Sequence, residues 1–89
     1  KLHSNFPNPF NPSTTIAFTL PQRGHVNLEI FDINGKKIRT LVNGIVEEGY
    51  REIIWDGRDD GGEEIVSGVY FYRLQTENKT ISRKAVILR

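Results

Sequence analysis

The sequence has no cysteine and no methionine, a single tryptophan, and only two histidines. Without cysteine there can be no disulfide framework and no thiolate metal site. That does not exclude an extracellular location, because a sandwich core can hold without a bridge. With only His3 and His25, one in the opening segment and one at a strand start, an imidazole-based metal or acid–base centre would need partners that the spacing does not supply. The serines and threonines lie in no nucleophile elbow. No apolar run approaches the roughly 18–20 residues that span a bilayer as a helix. No signal peptide is visible, and no segment of useful length has a helical period. The chain starts at Lys1 without methionine and reads as a piece excised from a longer protein.

The 89 residues suit one small domain with a modest core. Apolar residues at 37% and charged residues at 26% describe a folded module rather than a disordered tail. Twelve basic and eleven acidic residues leave a formal charge of +1, so nothing draws the chain toward nucleic acid or an anionic membrane. Neither a nucleic-acid partner nor direct membrane insertion is expected.

The pattern that remains is all-β. Lys1 to Ser13 holds three of the four prolines, Pro7, Pro9 and Pro12, which rule out helix. This segment reads as an extended lead-in (residues 1–13) whose Phe6 and Phe10 pack on the edge of a domain spanning 14–89. Thr14 to Leu20 alternates with period two, Ile16, Phe18 and Leu20 on one face. His25 to Asp32 is a second strand, and Asn34-Gly35 a hairpin turn. Lys37 to Val42, with Ile38 its buried residue, is a third strand, ended by Asn43-Gly44. Tyr50 to Trp55 follows, then a glycine-rich acidic loop, a short edge strand at Glu64–Val66, and an aromatic strand from Val69 to Thr76, apolar on both faces and therefore central. Thr80 to Leu88 closes the chain. Short strands separated by turn signals at this spacing predict an antiparallel β-sandwich.

Two groups of residues could carry chemistry. In the loop from Asp56 to Gly62, Asp56, Asp60 and Gly61 fit the spacing of a calcium loop, with Asp59 beside them. Arg58, however, takes a ligand position, Ser67 stands where a bidentate glutamate belongs, and no helices flank the loop. A turn held by aspartate–backbone bonds is the better reading, and no metal or cofactor is expected. The aromatic residues Phe6, Phe10, Trp55, Tyr70, Phe71 and Tyr72 could form a sugar-stacking row, but in so small a domain they read as core. Lys79, Arg83, Lys84 and Arg89 give the end of the chain a basic character.

The stretches NFPNPFNPSTTIAFTLP, FDINGKKIRTLV, WDGRDDGG, SGVYFYRL and RKAVILR together resemble a C-terminal sorting domain of the bacterial type IX secretion pathway, of the subclass called type A. A close structural relative of that family is the Ig-like domain of the flagellar hook-capping protein. The resemblance implies an Ig-like sandwich of about seven antiparallel strands, monomeric and without enzymatic activity. It implies a cargo protein in cis, N-terminal to Lys1, carried through the periplasm and outer membrane to the cell surface or medium. The implied partners are the outer-membrane secretion machinery and a sortase-like peptidase. The family's signature positions fall on Pro7, Pro9, Gly68, Tyr70, Lys84 and Val86. Receptor recognition is expected at Gly68, Tyr70, Arg83, Lys84, Val86 and Arg89, by strand addition or end-on contact. Gly68 would be needed for an unusual φ or a close approach, and Tyr70 as the anchor that fixes strand register. Two rivals remain: an Ig-like accessory or spacer module of a secreted polysaccharide-degrading enzyme, touching glycans, and a flagellar cap-like structural domain.

Overall fold

The computed structural model describes every residue except Asn11, which belongs to the proline-rich lead-in. Six strands form two antiparallel sheets: β1 (Thr14–Leu20), β2 (Gly24–Phe31), β3 (Lys37–Val46), β4 (Gly49–Trp55), β5 (Gly68–Gln75) and β6 (Thr80–Ile87). One sheet pairs β1 with β4, and the other runs β3-β2-β5-β6. No helix forms among the described residues.

The period-two pattern decides which side chains meet between the layers. Ile16, Phe18 and Leu20 of β1 face Val26, Leu28 and Ile30 of β2 and Tyr70, Tyr72 and Leu74 of β5, all buried. Trp55 closes one end of this core, its ring 5.3 Å from Phe10 and 6.1 Å from Tyr70. The Tyr70 hydroxyl donates to the Val66 carbonyl four residues back (2.7 Å), as the tyrosine corner of Ig-type sandwiches does.

Six strands stand where about seven were expected. Among the described residues Glu64–Val66 makes the single bridge Arg58↔Glu64, because its backbone bonds run back into the loop, Ile65 N–H donating to Gly57 C=O. The third strand is longer than the sequence indicated. Asn43-Gly44 does not turn; Asn43 pairs with Asn27 and Gly44 with Val26, so that β3 continues to Val46. Pairing along the full length of β2 outweighs the local turn preference. Ile38 is only half-buried, as suits an edge strand. The Asn34-Gly35 hairpin does form, but only Gly35 takes positive φ (83°). Gly35 N–H donates to Asp32 C=O and Asp32 N–H to Lys36 C=O, giving a three-residue loop ending in a left-handed glycine.

The lead-in is part of the sandwich and changes sheets. Residues 1–6 run antiparallel to β1, with Thr19, His3, Phe6 and Thr15 donating along the pair. The chain then crosses to the other sheet, where Phe10 lies parallel to Ile87 of β6. Leu2 and Phe10 enter the core at 2% exposure each, whereas Phe6, expected to pack, is 78% exposed. The bridging position of Phe6 on β1 turns its ring out of the interlayer space. Tyr72 Oη donates to His3 C=O and Arg83 Nε to Leu2 C=O, both at 2.8 Å, so the lead-in fastens one sheet to the other.

Candidate functional site

The residues expected to carry recognition lie on or beside β6 but do not form one surface. Gly68 pairs with Ile87 at the start of β5. Its φ of +158° is a conformation that residues with a side chain rarely adopt, while a Cβ built there would meet only the Tyr70 ring at 3.8 Å, an ordinary contact. Tyr70 is buried opposite Ala85. Burial raises the pKa of its hydroxyl. Val86 is half-buried, its N–H donating to Asn8 Oδ1 at 2.9 Å and its carbonyl accepting from Phe10 N–H at 3.0 Å. Arg83 is committed to Leu2. Of the set, Lys84 alone projects freely, exposed beside Phe71 on the outer face.

Arg89 is tied down rather than presented. Its Nη2 donates to Gly57 C=O at 2.7 Å, its Nε to Ile65 C=O, and its backbone N–H to Ser67 Oγ at 2.9 Å. Glu64 lies 3.5 Å from Nη1. These contacts clamp the end of the terminal strand onto the loop between β4 and β5. Gly57 makes the clamp possible: at φ +75° a Cβ would stand 2.7 Å from Pro12 C=O and 2.8 Å from the Arg89 guanidinium. Neither the close approach at Gly57 nor the side-chain bonds of Asn5 and Asn8 emerged from the sequence. Asn5 is buried, donating to Pro7 C=O and Thr14 Oγ1, and holds the lead-in at the start of β1. The one available signal was the surplus of asparagines among the lead-in prolines, since such side chains readily satisfy backbone groups.

The acidic loop is a set of backbone turns. Asp56 Oδ1 accepts from Arg58 N–H and from Arg39 Nη1. Asp59 Oδ1 accepts from Gly61 and Glu63 N–H, and Asp60 Oδ1 from Thr40 N–H. Asp60 N–H in turn donates to Ile38 C=O, so the loop covers the outer edge of β3. The three carboxylates bind three different backbone segments, and among the described residues no acidic or histidine group gathers as metal ligands. The Trp55 indole N–H donates to Arg58 C=O at 3.0 Å, fixing the loop to the core.

Trp55 and Tyr72 are fully buried and Tyr70 nearly so, which takes these three rings out of a sugar-stacking row, while Phe6 and Phe71 are exposed. His3 stacks edge-on against Tyr50, while His25 is exposed on β2. What the arrangement offers is a folded body, a clamped terminal strand and a partly uncovered edge on β6, which suits recognition.

The sequence of residues 8–80 matches the FlgD Ig-like domain family. No curated protein matches. Among solved structures, PorU of Porphyromonas gingivalis, in its dimeric latent form, is similar over 98% of this chain with a TM-score of 0.77 at 23% identity. PorZ of the same organism, described as an essential bacterial surface component of its type-IX secretion system, is similar over 99% of this chain (TM-score 0.64, 22% identity). FLGD from P. aeruginosa is similar over 83% (TM-score 0.65, 23% identity). The chain spans 9% of PorU, 11% of PorZ and 58% of FLGD, and at these identities the likeness is one of fold.

Proposed function

The chain belongs to the FlgD Ig-like domain family, and within it we propose that this is a non-catalytic sorting domain of type IX secretion. It would direct a cargo protein in cis across the outer membrane to the cell surface or medium. The observation that carries the reading is the joint presence of NFPNPFNPS at one end and RKAVILR at the other, with the two ends structurally joined. Phe10 pairs with β6, and Arg83 and Val86 bond back to the lead-in. The likeness to PorZ and PorU supports it by running through both the lead-in and the terminal strand. A label of this kind requires no reaction of its own. It requires a folded body and a surface that the outer-membrane machinery, and a sortase-like peptidase after it, can read.

The test is a fusion of Lys1–Arg89 behind an exported reporter in a bacterium with this machinery. The reporter is expected outside the cell, and removal of everything from Ala85 onward is expected to leave it in the periplasm. Equal export of the truncated fusion would overturn the reading, as would a full fusion that stays in the periplasm.

A further inference from the structure

β6 is the last strand of its sheet, so one side of its backbone has no strand partner. The lead-in covers only the end of that side. Val86 N–H donates to Asn8 Oδ1, Leu88 N–H donates to Phe10 C=O, and Val86 C=O accepts from Phe10 N–H. Thr80, Ser82 and Lys84 share the parity of Val86, so their backbone groups turn to the same side. Among the described residues no hydrogen bond reaches the N–H or C=O of Ser82 or Lys84 on that side. Beside this bare stretch a cavity of about 340 Å³ opens between the sheets, walled by Leu20, Leu74 and Ile81 and lined also by Lys1 and Lys79. Lys79 and Lys84 are exposed, and among the described residues neither has a carboxylate within 4.0 Å.

We propose that the open part of β6, Thr80–Lys84, is a strand-addition site for an extended segment of a partner protein. One apolar side chain of that segment enters the cavity between Leu20, Leu74 and Ile81, and its acidic side chains meet Lys79 and Lys84. The proposal deepens the sorting reading and rests on it for the partner being a protein. Two features favour this occupant. The same edge already accepts extended backbone, since the lead-in occupies its far end. The bare groups also repeat every second residue, as an added strand requires. A second copy fits poorly. Antiparallel pairing of two β6 edges about Ser82 would set Lys84 of each against Thr80 of the other and bring Lys79 close by, crowding four ammonium groups. An acidic segment relieves that charge.

The probe is an acetylated, amidated octapeptide of alternating leucine and glutamate, titrated into the isotope-labelled 89-residue chain and followed by NMR. Saturable shifts are expected, largest at the Ser82 and Lys84 amides and at Leu74 and Ile81, with slowed exchange of the Ser82 and Lys84 protons. Ser82→Pro removes an outward donor without touching the β5 ladder and should weaken binding about tenfold or more. A peptide N-methylated at alternate residues should fail on the unaltered chain, which keeps the test independent of how the proline variant folds. The leucine–lysine peptide should bind far more weakly. The proposal is overturned if no saturable shift occurs, if shifts centre elsewhere, or if both the N-methylated peptide and Ser82→Pro leave binding intact. It is equally overturned if the chain alone self-associates through these amides. Export of the reporter fusion is scored separately. Peptide binding without export sinks the sorting reading and leaves the site; export without peptide binding sinks the site alone.

Discussion

The guanidinium of Arg89 rests on the backbone of Gly57, with Nη2 donating to the Gly57 carbonyl at 2.7 Å. The pair closes a ring of contacts from the end of the chain to the loop that follows Trp55, and that loop is in turn bonded to the edge of β3. Gly57→Ala would force a side chain into left-handed backbone and against Pro12 C=O. The conformational term alone costs about 1–3 kcal/mol, and the steric conflict adds to it. A lowered urea midpoint at unchanged slope is the expected result.

Trp55 has no solvent exposure, touches Phe10 and Tyr70, and spends its indole N–H on Arg58 C=O. Trp55→Ala is expected to destabilise by about 3–5 kcal/mol, a large share of what so small a domain has. Thermal melting followed by circular dichroism checks this. An unshifted transition would place the ring outside the core.

The two lead-in phenylalanines separate by experiment. Phe10 is 2% exposed and Phe6 78%. Phe10→Ala should cost about 3–5 kcal/mol. Phe6→Ala should stay within about 0.5 kcal/mol, as surface changes usually do. Equal effects in chemical denaturation would mean that the lead-in is not docked as described.

Burial raises the pKa of Tyr70 and of Tyr72 above the ordinary value of 10.0. The folded state therefore holds those phenolic protons more tightly than the unfolded chain does. Their contribution is complete below pH 10.0 and is lost as pH rises through the raised folded values. Urea midpoints should fall as pH climbs above about 10, and Tyr72→Phe should flatten that fall. A midpoint that holds steady across the range would contradict the burial of both hydroxyls.

Much of this fold is legible from period and turns. The alternation of Ile16, Phe18 and Leu20 places β1, and the doubly apolar Val69-Tyr70-Phe71-Tyr72 run places β5 between two neighbours, where it sits. Local signals failed where a partner strand overruled them. Asn43-Gly44 looks like a turn in isolation and becomes strand because β2 has backbone left to pair. The candidate site was less legible. A terminal arginine reads as solvated unless one knows that Gly57, thirty-two positions away, leaves room for it. The split lead-in was hidden for the same reason, since its bonds to β5 and β6 run to residues 69 to 81 positions distant.

The account turns on the chain acting as an export label, and cells report on that directly. A reporter carrying a periplasmic export signal and fused to Lys1–Arg89 is placed in matched strains with and without the type IX translocation machinery, and the extracellular fraction is measured. The label account expects the reporter outside only where the machinery is intact, with periplasmic accumulation in the other strain. The same distribution in both strains would contradict it.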